Sequence, residues 1–200
     1  MRKASWPEAR NALERAKSRL GEPGSHDIRG RLDRGARDLE LADRLDAIRL
    51  TRYTMVGGAP GFARSDERYE EAFREAGFDE VGSPPESLAA KIKASDIRNA
   101  LLVAFDNWSF CARDPRRRRW ASDVAQQAGG DTAGWRGRVR DPAIWKDEAT
   151  LFKVIETAPF PEQSVALLLA IELHTDAPGK PRVSFLKRLH ERPPATSGST

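Results

Sequence analysis

The feature that most constrains the fold is residues 95–112, where apolar side chains recur at steps of three and four. The apolar residues of this stripe are Ile97, Leu101, Ala104, Phe105, Trp108 and Ala112. Such spacing places them on one face of an α-helix, so the pattern predicts a central core helix that begins with Ser95 as its cap. Asp114 and Pro115 end this helix and begin another, because Asp caps helices and Pro fits the first helical position.

Trp108 lies in the middle of this stripe, and we expect its side chain to be largely buried. We expect it to contact the long helix predicted over residues 27–54 or the apolar segment 165–173. Cys111 lies on the same helix beside aromatic neighbours, with no histidine near it in the sequence. A buried structural thiol is therefore favoured over a catalytic one, which needs a base and an electropositive setting.

Apolar periodicity, capping residues and Pro or Gly boundaries predict helices over most of the chain. The predicted helices cover residues 5–20, 27–54, 65–76, 83–93, 95–112, 115–129, 135–139, 141–157 with a break near Lys146, 161–175 and 181–191. Ser5 and Ser83 each precede a Glu by three residues, so both are predicted to open a capping box. The glycine-rich stretch 56–61 is predicted to be a flexible loop, because it lacks the Gly-Lys-Ser/Thr of a phosphate-binding loop.

No stretch of useful length alternates between apolar and polar residues with a period of two. The fold is therefore predicted to be all-α, an irregular helical bundle or a tetratricopeptide-like α-solenoid of about eight to ten helices. We expect residues 1–192 to form a single helical, repeat-like domain, since 200 residues suit one domain. Residues 193–200 are small and polar and are predicted to be disordered.

Composition and charge narrow the functional classes. A single cysteine excludes an internal disulfide and indicates a cytoplasmic, reducing compartment. The N-terminus lacks the apolar run of a signal peptide, and the longest apolar stretch, residues 165–171, is too short to cross a membrane. The 34 basic and 30 acidic residues nearly balance at a net charge of +4, so local charge clusters matter more than the total.

The most suggestive local feature is a cluster of arginines over residues 113–140. The candidate interaction surface consists of Arg116, Arg117, Arg118, Arg119, Arg136, Arg138 and Arg140, with Arg113 close by in the sequence. The first four occupy the first turn of a predicted helix, where each positive charge opposes the helix dipole by about 0.3–1 kcal/mol. Trp120 and Trp135 flank the cluster and offer rings for cation–π stacking.

Three interpretations of this cluster stay open at the level of sequence. It is a face paired internally and otherwise solvated, a surface for an acidic protein partner, or a nucleic-acid site. The first is favoured because charge runs usually have this role. The protein partner comes second, and nucleic acid comes last because charge alone supports it.

No pattern of catalytic or metal-ligating residues stands out. His26, His174 and His190 match no zinc-ligand spacing and there is no second cysteine, so neither a metal nor a cofactor is expected. Most carboxylates have basic neighbours at helical spacing, which predicts a solvated ion-pair surface rather than an acid/base couple. The chain is therefore not expected to be an enzyme, and an undetected activity is the last of the functional hypotheses.

Two stretches, residues 6–16 and residues 69–77, resemble the second helix of a tetratricopeptide repeat, where small and large apolar residues interlock. The helical pair over residues 167–189 resembles it more weakly. A longer series of segments is similar, in its order, to the helical region that follows the catalytic domain in large bacterial serine/threonine protein kinases bearing these repeats. The segments are residues 38–39 with 45–50, 69–77, 95–101, 106–108, 114–120 and 135–142.

This resemblance implies a non-catalytic helical module of bacterial signalling kinases that binds a protein partner or serves as a scaffold. No catalytic or ligand residue is carried over from that region. The kinase motifs are absent from the sequence: there is no Gly-rich loop, Val-Ala-Ile-Lys, His-Arg-Asp or Asp-Phe-Gly. The strict repeat of about 34 residues is absent as well, and the chain is either an independent protein or a fragment of a longer kinase.

The C-terminal helices carry a further prediction about self-association. Residues 161–175 are apolar on more than one face, and only the helix predicted over residues 181–191 follows to cover them. We therefore expect an exposed apolar patch near Leu167, Ile171 and Leu186, through which copies of the chain associate.

Overall fold

The structure is a computed structural model, and it describes residues 6–19, 26–51, 55–56, 59–60, 62–78, 81–130, 134–141, 143–144 and 147–157. The helices among these residues are α1 (Trp6–Arg19), α2 (His26–Thr51), α3 (Phe62–Glu75), α4 (Pro85–Ala94), α5 (Arg98–Cys111), α6 (Pro115–Gly129), α7 (Trp135–Arg140) and α8 (Glu148–Glu156). The predicted all-α fold is confirmed. The helices predicted over residues 161–175 and 181–191, and the tail 193–200, lie outside the described residues, and the solenoid arrangement stays a prediction.

A two-stranded hairpin between α2 and α3 corrects the predicted loop at residues 56–61. Strands β1 (Met55–Val56) and β2 (Ala59–Pro60) pair antiparallel, with Val56 opposite Ala59. Strands of two residues are too short to show an alternating pattern. The Gly-Gly dipeptide between them is, however, a known hairpin signal, and the sequence analysis passed over it.

Helices α1, α2 and α3 run antiparallel in sequence order, as their cross-helix pairs show. Between α1 and α2, Arg10 reaches Asp43 at 2.5 Å and Lys17 reaches Asp33 at 3.6 Å. Between α2 and α3, Arg44 pairs with Glu71 at 3.2 Å, and Arg68 Nη1 donates to Thr51 Oγ1 at 3.4 Å. The ion pairs are exposed and each contributes little stability, but the order of these contacts fixes the direction of each helix against the next.

Helix α5 lies at the centre of the fold and packs against α2, α3, α4 and α6. Its side chains are buried on more than one face, since Leu102 and Asn107 are buried as well as the predicted apolar stripe. The predicted burial of Trp108 is confirmed, because its residue surface is only 1% exposed. The predicted burial of Cys111 is confirmed in the same way.

The aromatic contacts of Trp108 join α5 to its neighbours. Its ring stacks on Phe73 of α3, with a centroid distance of 5.4 Å, and meets Trp120 of α6 edge-on at 5.7 Å. These partners belong to α3 and α6, whereas the sequence analysis expected α2 or the segment 165–173. That segment lies outside the described residues.

Asp66 of α3 joins three parts of the core through one buried carboxylate. Its Oδ1 accepts hydrogen bonds from Trp108 Nε1 at 2.8 Å and from Arg117 Nη1 at 3.0 Å. Its Oδ2 accepts from the backbone N–H of Arg113 at 3.0 Å. The residue is only 3% exposed, so burial removes the water that would hydrate its carboxylate. The three donors take the place of that water.

Two of the predicted helix starts are wrong. Ser95 ends α4 rather than beginning α5, and its N–H donates to the carbonyl of Ile92 at 3.2 Å. Helix α5 begins three residues later, at Arg98. Ser83 does not cap α4 either: Pro84 is the N-cap and Pro85 holds the first helical position, which shifts the expected capping box out of register.

The start and end of α6 agree with the sequence analysis. Asp114 is the N-cap, and its side chain accepts a hydrogen bond from the backbone N–H of Arg116 at 2.8 Å. Gly130 ends the helix with a φ of 75°, which suits glycine because it has no Cβ. The helix predicted over residues 141–157 is present in its second half as α8, which Asp147 caps through the backbone N–H groups of Ala149 and Thr150. Before the expected break, Ala143 lies in a turn and Ile144 in a 3₁₀ helix.

Candidate functional site

The seven arginines of the candidate interaction surface differ in their exposure to solvent. Arg116, Arg118, Arg119, Arg136 and Arg138 are exposed, whereas Arg117 is partly buried and Arg140 is buried. The five exposed residues, together with exposed Arg113, are called the arginine surface below. The two others have internal roles that the sequence did not indicate.

Arg117 turns inward from α6 onto α3. Its Nη1 bonds Asp66 at 3.0 Å and its Nη2 lies 3.0 Å from Glu70 Oε2. Burial by itself lowers the pKa of Arg117, but the hydrogen bond and negative charge of Asp66, with the charge of Glu70, raise it overall. The guanidinium is therefore held charged between two carboxylates, and it is only partly available to a partner.

Arg140 does not belong to an interaction surface, and this corrects the sequence analysis. Its Nε donates to Asp106 Oδ1 at 2.6 Å and its Nη2 donates to Oδ2 at 2.7 Å, inside the protein. The exposed fractions are 8% for Arg140 and 6% for Asp106. The pair ties α7 to α5 across 34 residues of sequence, so no local pattern pointed to it.

The arginine surface spreads over the outward half of α6 and the start of α7. Consecutive residues in a helix are about 100° apart, so Arg116, Arg118 and Arg119 fan out on the side of α6 that faces away from α5. Helix α7 lies against the middle of α6, where Ser122 Oγ donates to the carbonyl of Arg140 at 3.0 Å. Arg136 and Arg138 are therefore carried on the neighbouring helix.

Few acidic groups balance these exposed charges. Arg118 donates to the carbonyl of Ala112 at 3.0 Å rather than to a carboxylate. Arg119 lies near Asp123, and its charge partly offsets the burial and the Glu86 charge that raise the pKa of Asp123. The side chains of Arg116 and Arg138 form no ion pair with a residue that the structure describes.

Neither a metal site nor a membrane-spanning helix occurs among the described residues. No group of three or more His, Cys, Asp or Glu residues able to hold a metal ion lies among them. His26 begins α2, while His174 and His190 lie outside the described residues. The described helices include none with the length and apolar content that a membrane crossing requires.

A groove that the sequence analysis missed lies between the first half of α2 and the corner where α4 meets α5. It encloses about 720 Å³, and its lining includes Ile28, Leu32, Gly35, Arg31, Arg34, Asp38 and Asp96. We call it the α2 groove. Its two walls come from segments about 60 residues apart in sequence, which is why no local motif marks it. Comparison of the chain with protein-family models, with curated proteins and with solved structures found no match.

Proposed function

We propose that this protein is a non-catalytic helical interaction module that binds an acidic segment of a protein partner through the arginine surface. The observation that carries the proposal is the position of Arg116, Arg118 and Arg119 in the first two turns of α6. Positive charge there opposes the helix dipole by about 0.3–1 kcal/mol per residue at most. An acidic partner would offset this repulsion, and Arg117 shows the effect internally with Asp66 and Glu70.

The shape of the surface supports a protein partner over a nucleic acid. Trp120 and Trp135 could stack on bases only if they were exposed, but Trp120 is buried and its Nε1 donates to the carbonyl of Ser83 at 2.8 Å. Trp135 is half-buried and donates to the carbonyl of Val154 at 2.5 Å. Single-stranded nucleic acids are usually bound by exposed aromatic rings inside a basic groove, and these two rings are committed to the core.

The resemblance to the helical region of bacterial serine/threonine kinases supports a finer form of the same proposal. In that form the module serves a kinase, as its scaffold or docking partner, in a bacterial cytoplasm. Only the order of the segments supports it. A kinase assay with and without the purified module, with an acidic substrate peptide, tests it: a change in phosphorylation rate that depends on Arg116 and Arg119 is the expected result.

The main experiment measures binding of a fluorescent oligoglutamate peptide, a DNA duplex and a single-stranded RNA in salt titrations. We expect the peptide to bind at low salt and to lose affinity steeply as salt rises. The variant Arg116→Ser/Arg119→Ser should weaken the binding several-fold. The matched control is Arg64→Ser/Arg74→Ser, which removes the same charge from exposed positions on α3.

Three results would count against the proposal. The first is no binding of the peptide at low salt, and the second is an equal loss of affinity in the control variant. The third is tighter binding to nucleic acid than to the peptide, with a salt slope that the Arg116→Ser/Arg119→Ser variant reduces, since that result favours the nucleic-acid hypothesis. Turnover of a substrate that one point substitution abolishes would favour an enzyme instead.

A further inference from the structure

Helix α1 packs along one side of the first half of α2, and the side that lines the α2 groove is left open by the described fold. No residue of α1, and none of α2 before Ala42, is buried among those whose burial is described. Ile28 is 49% exposed and lies at the mouth of the α2 groove with Leu32. Isolated apolar residues on a surface need no explanation, but here they line a concave groove together with four charged side chains.

The charges of the α2 groove are separated along its length. Arg31 and Arg34 lie toward the start of α2, while Asp38 lies one to two turns later and faces Asp96 across the groove. Burial and the negative charge of Asp96 raise the pKa of Asp38 above its ordinary value of 3.8, although neighbouring arginines on α2 act against the shift. The end of the groove beside Asp38 and Asp96, called the inner end here, is therefore acidic, and the outer end toward the start of α2 is basic.

These charges form no direct ion pair within the described part of the chain, although Arg34 and Arg37 act on Asp38 through their charge. Neither carboxylate forms an ion pair with a described residue, and the same holds for Arg31 and Arg34. The two carboxylates repel each other, and a cation brought into the inner end would relieve this repulsion. An anion at the outer end would do the same for the two arginines.

A second copy of the chain carries these groups at the required spacing. Arg31 and Asp38 are seven residues apart, or about 10 Å along a helix. An antiparallel α2 that crosses midway between them, beside Gly35, places its own Asp38 opposite Arg31 and its own Arg31 opposite Asp38. Such a pairing is self-complementary, as a two-fold symmetric interface requires.

Gly35 lies at the crossing point and lines the groove, with Leu13 of α1 3.7 Å from the place where a Cβ of Gly35 would lie. The second copy therefore packs beside α1 at this point rather than directly on the backbone of Gly35. Ile28 and Leu32 then lie beside the crossing and lose exposed apolar surface to the other copy. We therefore propose that the protein forms a two-fold symmetric dimer in which the first half of α2 from each copy lies in the α2 groove of the other.

Sedimentation velocity and light scattering on the full chain test this proposal with a pair of charge-reversed variants. Arg31→Glu/Arg34→Glu makes the whole groove acidic, and Asp38→Arg/Asp96→Arg makes it basic. Each variant alone should be monomeric at concentrations where the wild type is dimeric. An equimolar mixture of the two should dimerise again, because every contact in the mixed dimer then joins opposite charges.

A second pair of variants guards against misfolding as the cause of dissociation. Ile28→Asp should raise the dimer dissociation constant at least about tenfold. Leu50→Asp is the matched control, because Leu50 is 54% exposed near the other end of the same helix and outside the groove. It should leave the dissociation constant unchanged, and both variants should keep the helical circular dichroism of the wild type.

A wild-type chain that stays monomeric at high concentration overturns the proposal, even if another molecule fills the groove. A dimer that persists in both charge-reversed variants, or in Ile28→Asp, also overturns it and favours another surface, such as the C-terminal patch around Leu167. Failure of the mixture to dimerise overturns the antiparallel pairing. These outcomes are independent of peptide binding by the arginine surface, which lies on α6, on α7 and just before α6.

Discussion

Arg140 and Asp106 form a two-bond ion pair inside the protein, with donor–acceptor distances of 2.6 and 2.7 Å. Both side chains are less than a tenth exposed. A buried charge that loses its partner keeps its desolvation penalty, so breaking such a pair typically costs about 3–5 kcal/mol. We expect Arg140→Ala and Asp106→Ala each to lower the free energy of unfolding by this amount, as measured by urea denaturation.

The apolar double variant Asp106→Leu/Arg140→Met is the informative companion of these single variants. Replacing both charges with side chains of similar volume removes the desolvation penalty together with the attraction. The double variant should therefore be more stable than either alanine variant. If the double variant is instead the least stable of the three, the attraction between Arg140 and Asp106 is larger than the cost of burying the two charges.

Gly129 of α6 lies against the guanidinium of Arg140 and leaves no room for a larger residue. A Cβ added at Gly129 would lie 2.7 Å from Arg140 Nη1, so Gly129→Ala must push the guanidinium away from its position. Alanine normally stabilises a helix by about 1 kcal/mol relative to glycine, but here we expect a net loss of stability. In an Arg140→Ala background the loss should disappear, which a double-mutant cycle measures directly.

Gly30 is the matched control for this substitution. It lies within α2, and a Cβ added there would meet nothing within 4 Å. Gly30→Ala should therefore raise the free energy of unfolding by about 0.5–1 kcal/mol. A destabilising Gly30→Ala would show that the surface around it is covered, for example by another molecule.

Trp108→Ala should remove about 3–5 kcal/mol of stability, because it empties a large site in the core and frees one acceptor of Asp66. For a chain of this length, each kcal/mol shifts the melting temperature by roughly 2–4 °C. Trp108→Phe keeps a ring but lacks the Nε1 donor, so it should fall between the wild type and the alanine variant. A melting temperature for Trp108→Ala close to that of the wild type contradicts the central role of this residue.

Asp123 provides a prediction about pH. Burial raises its pKa, with a further contribution from Glu86 of α4, and Arg119 partly opposes them. The folded state therefore holds a proton more tightly than the unfolded state, so this residue's contribution to stability falls as the pH rises through the titration range of the carboxyl group. Asp123→Asn should then be more stable than the wild type at neutral pH, and the difference should vanish below the ordinary pKa of 3.8.

Arg119→Ser provides the control for the pH experiment. Because the charge of Arg119 lowers the pKa of Asp123, its removal should enlarge the stabilisation that Asp123→Asn gives at neutral pH. NMR titration of the Asp123 carboxyl carbon in both backgrounds measures the shift itself. An Asp123 pKa at or below the ordinary value in the wild type would contradict the prediction.

The helix ends and apolar faces that are set by residues within one or two turns of each other were predicted well from the sequence. Helix α6 is the clearest case, because its cap Asp114, its first proline and its terminal Gly130 act within one or two turns. The apolar stripe of α5 was also found, since helical spacing alone defines it. The starts of α4 and α5 were misplaced because Ser83 and Ser95 have the capping side chain, but prolines and the end of the preceding helix decide the boundary.

The candidate site was predicted less well, because exposure depends on partners that are distant in sequence. Arg117 and Arg119 are two residues apart, yet the first reaches Asp66 across 51 positions and the second stays exposed. Helical spacing could have placed Arg117 on the side of α6 that carries Trp120 and Val124. Helical spacing could not have identified Asp66 and Glu70 as the carboxylates that Arg117 contacts there. The α2 groove was missed for the same reason, as its walls meet only in the folded chain.

The carboxylate of Asp66 has a consequence for how this part of the protein melts. Its bond to Trp108 closes a loop of 42 residues, and that closure carries an entropy cost that grows only slowly with length. Once it has formed, the bonds to Arg113 and Arg117 need only short further closures along the chain. Helices α3, α5 and α6 should therefore gain or lose their order as one cooperative unit, with amide protons that exchange at a common rate.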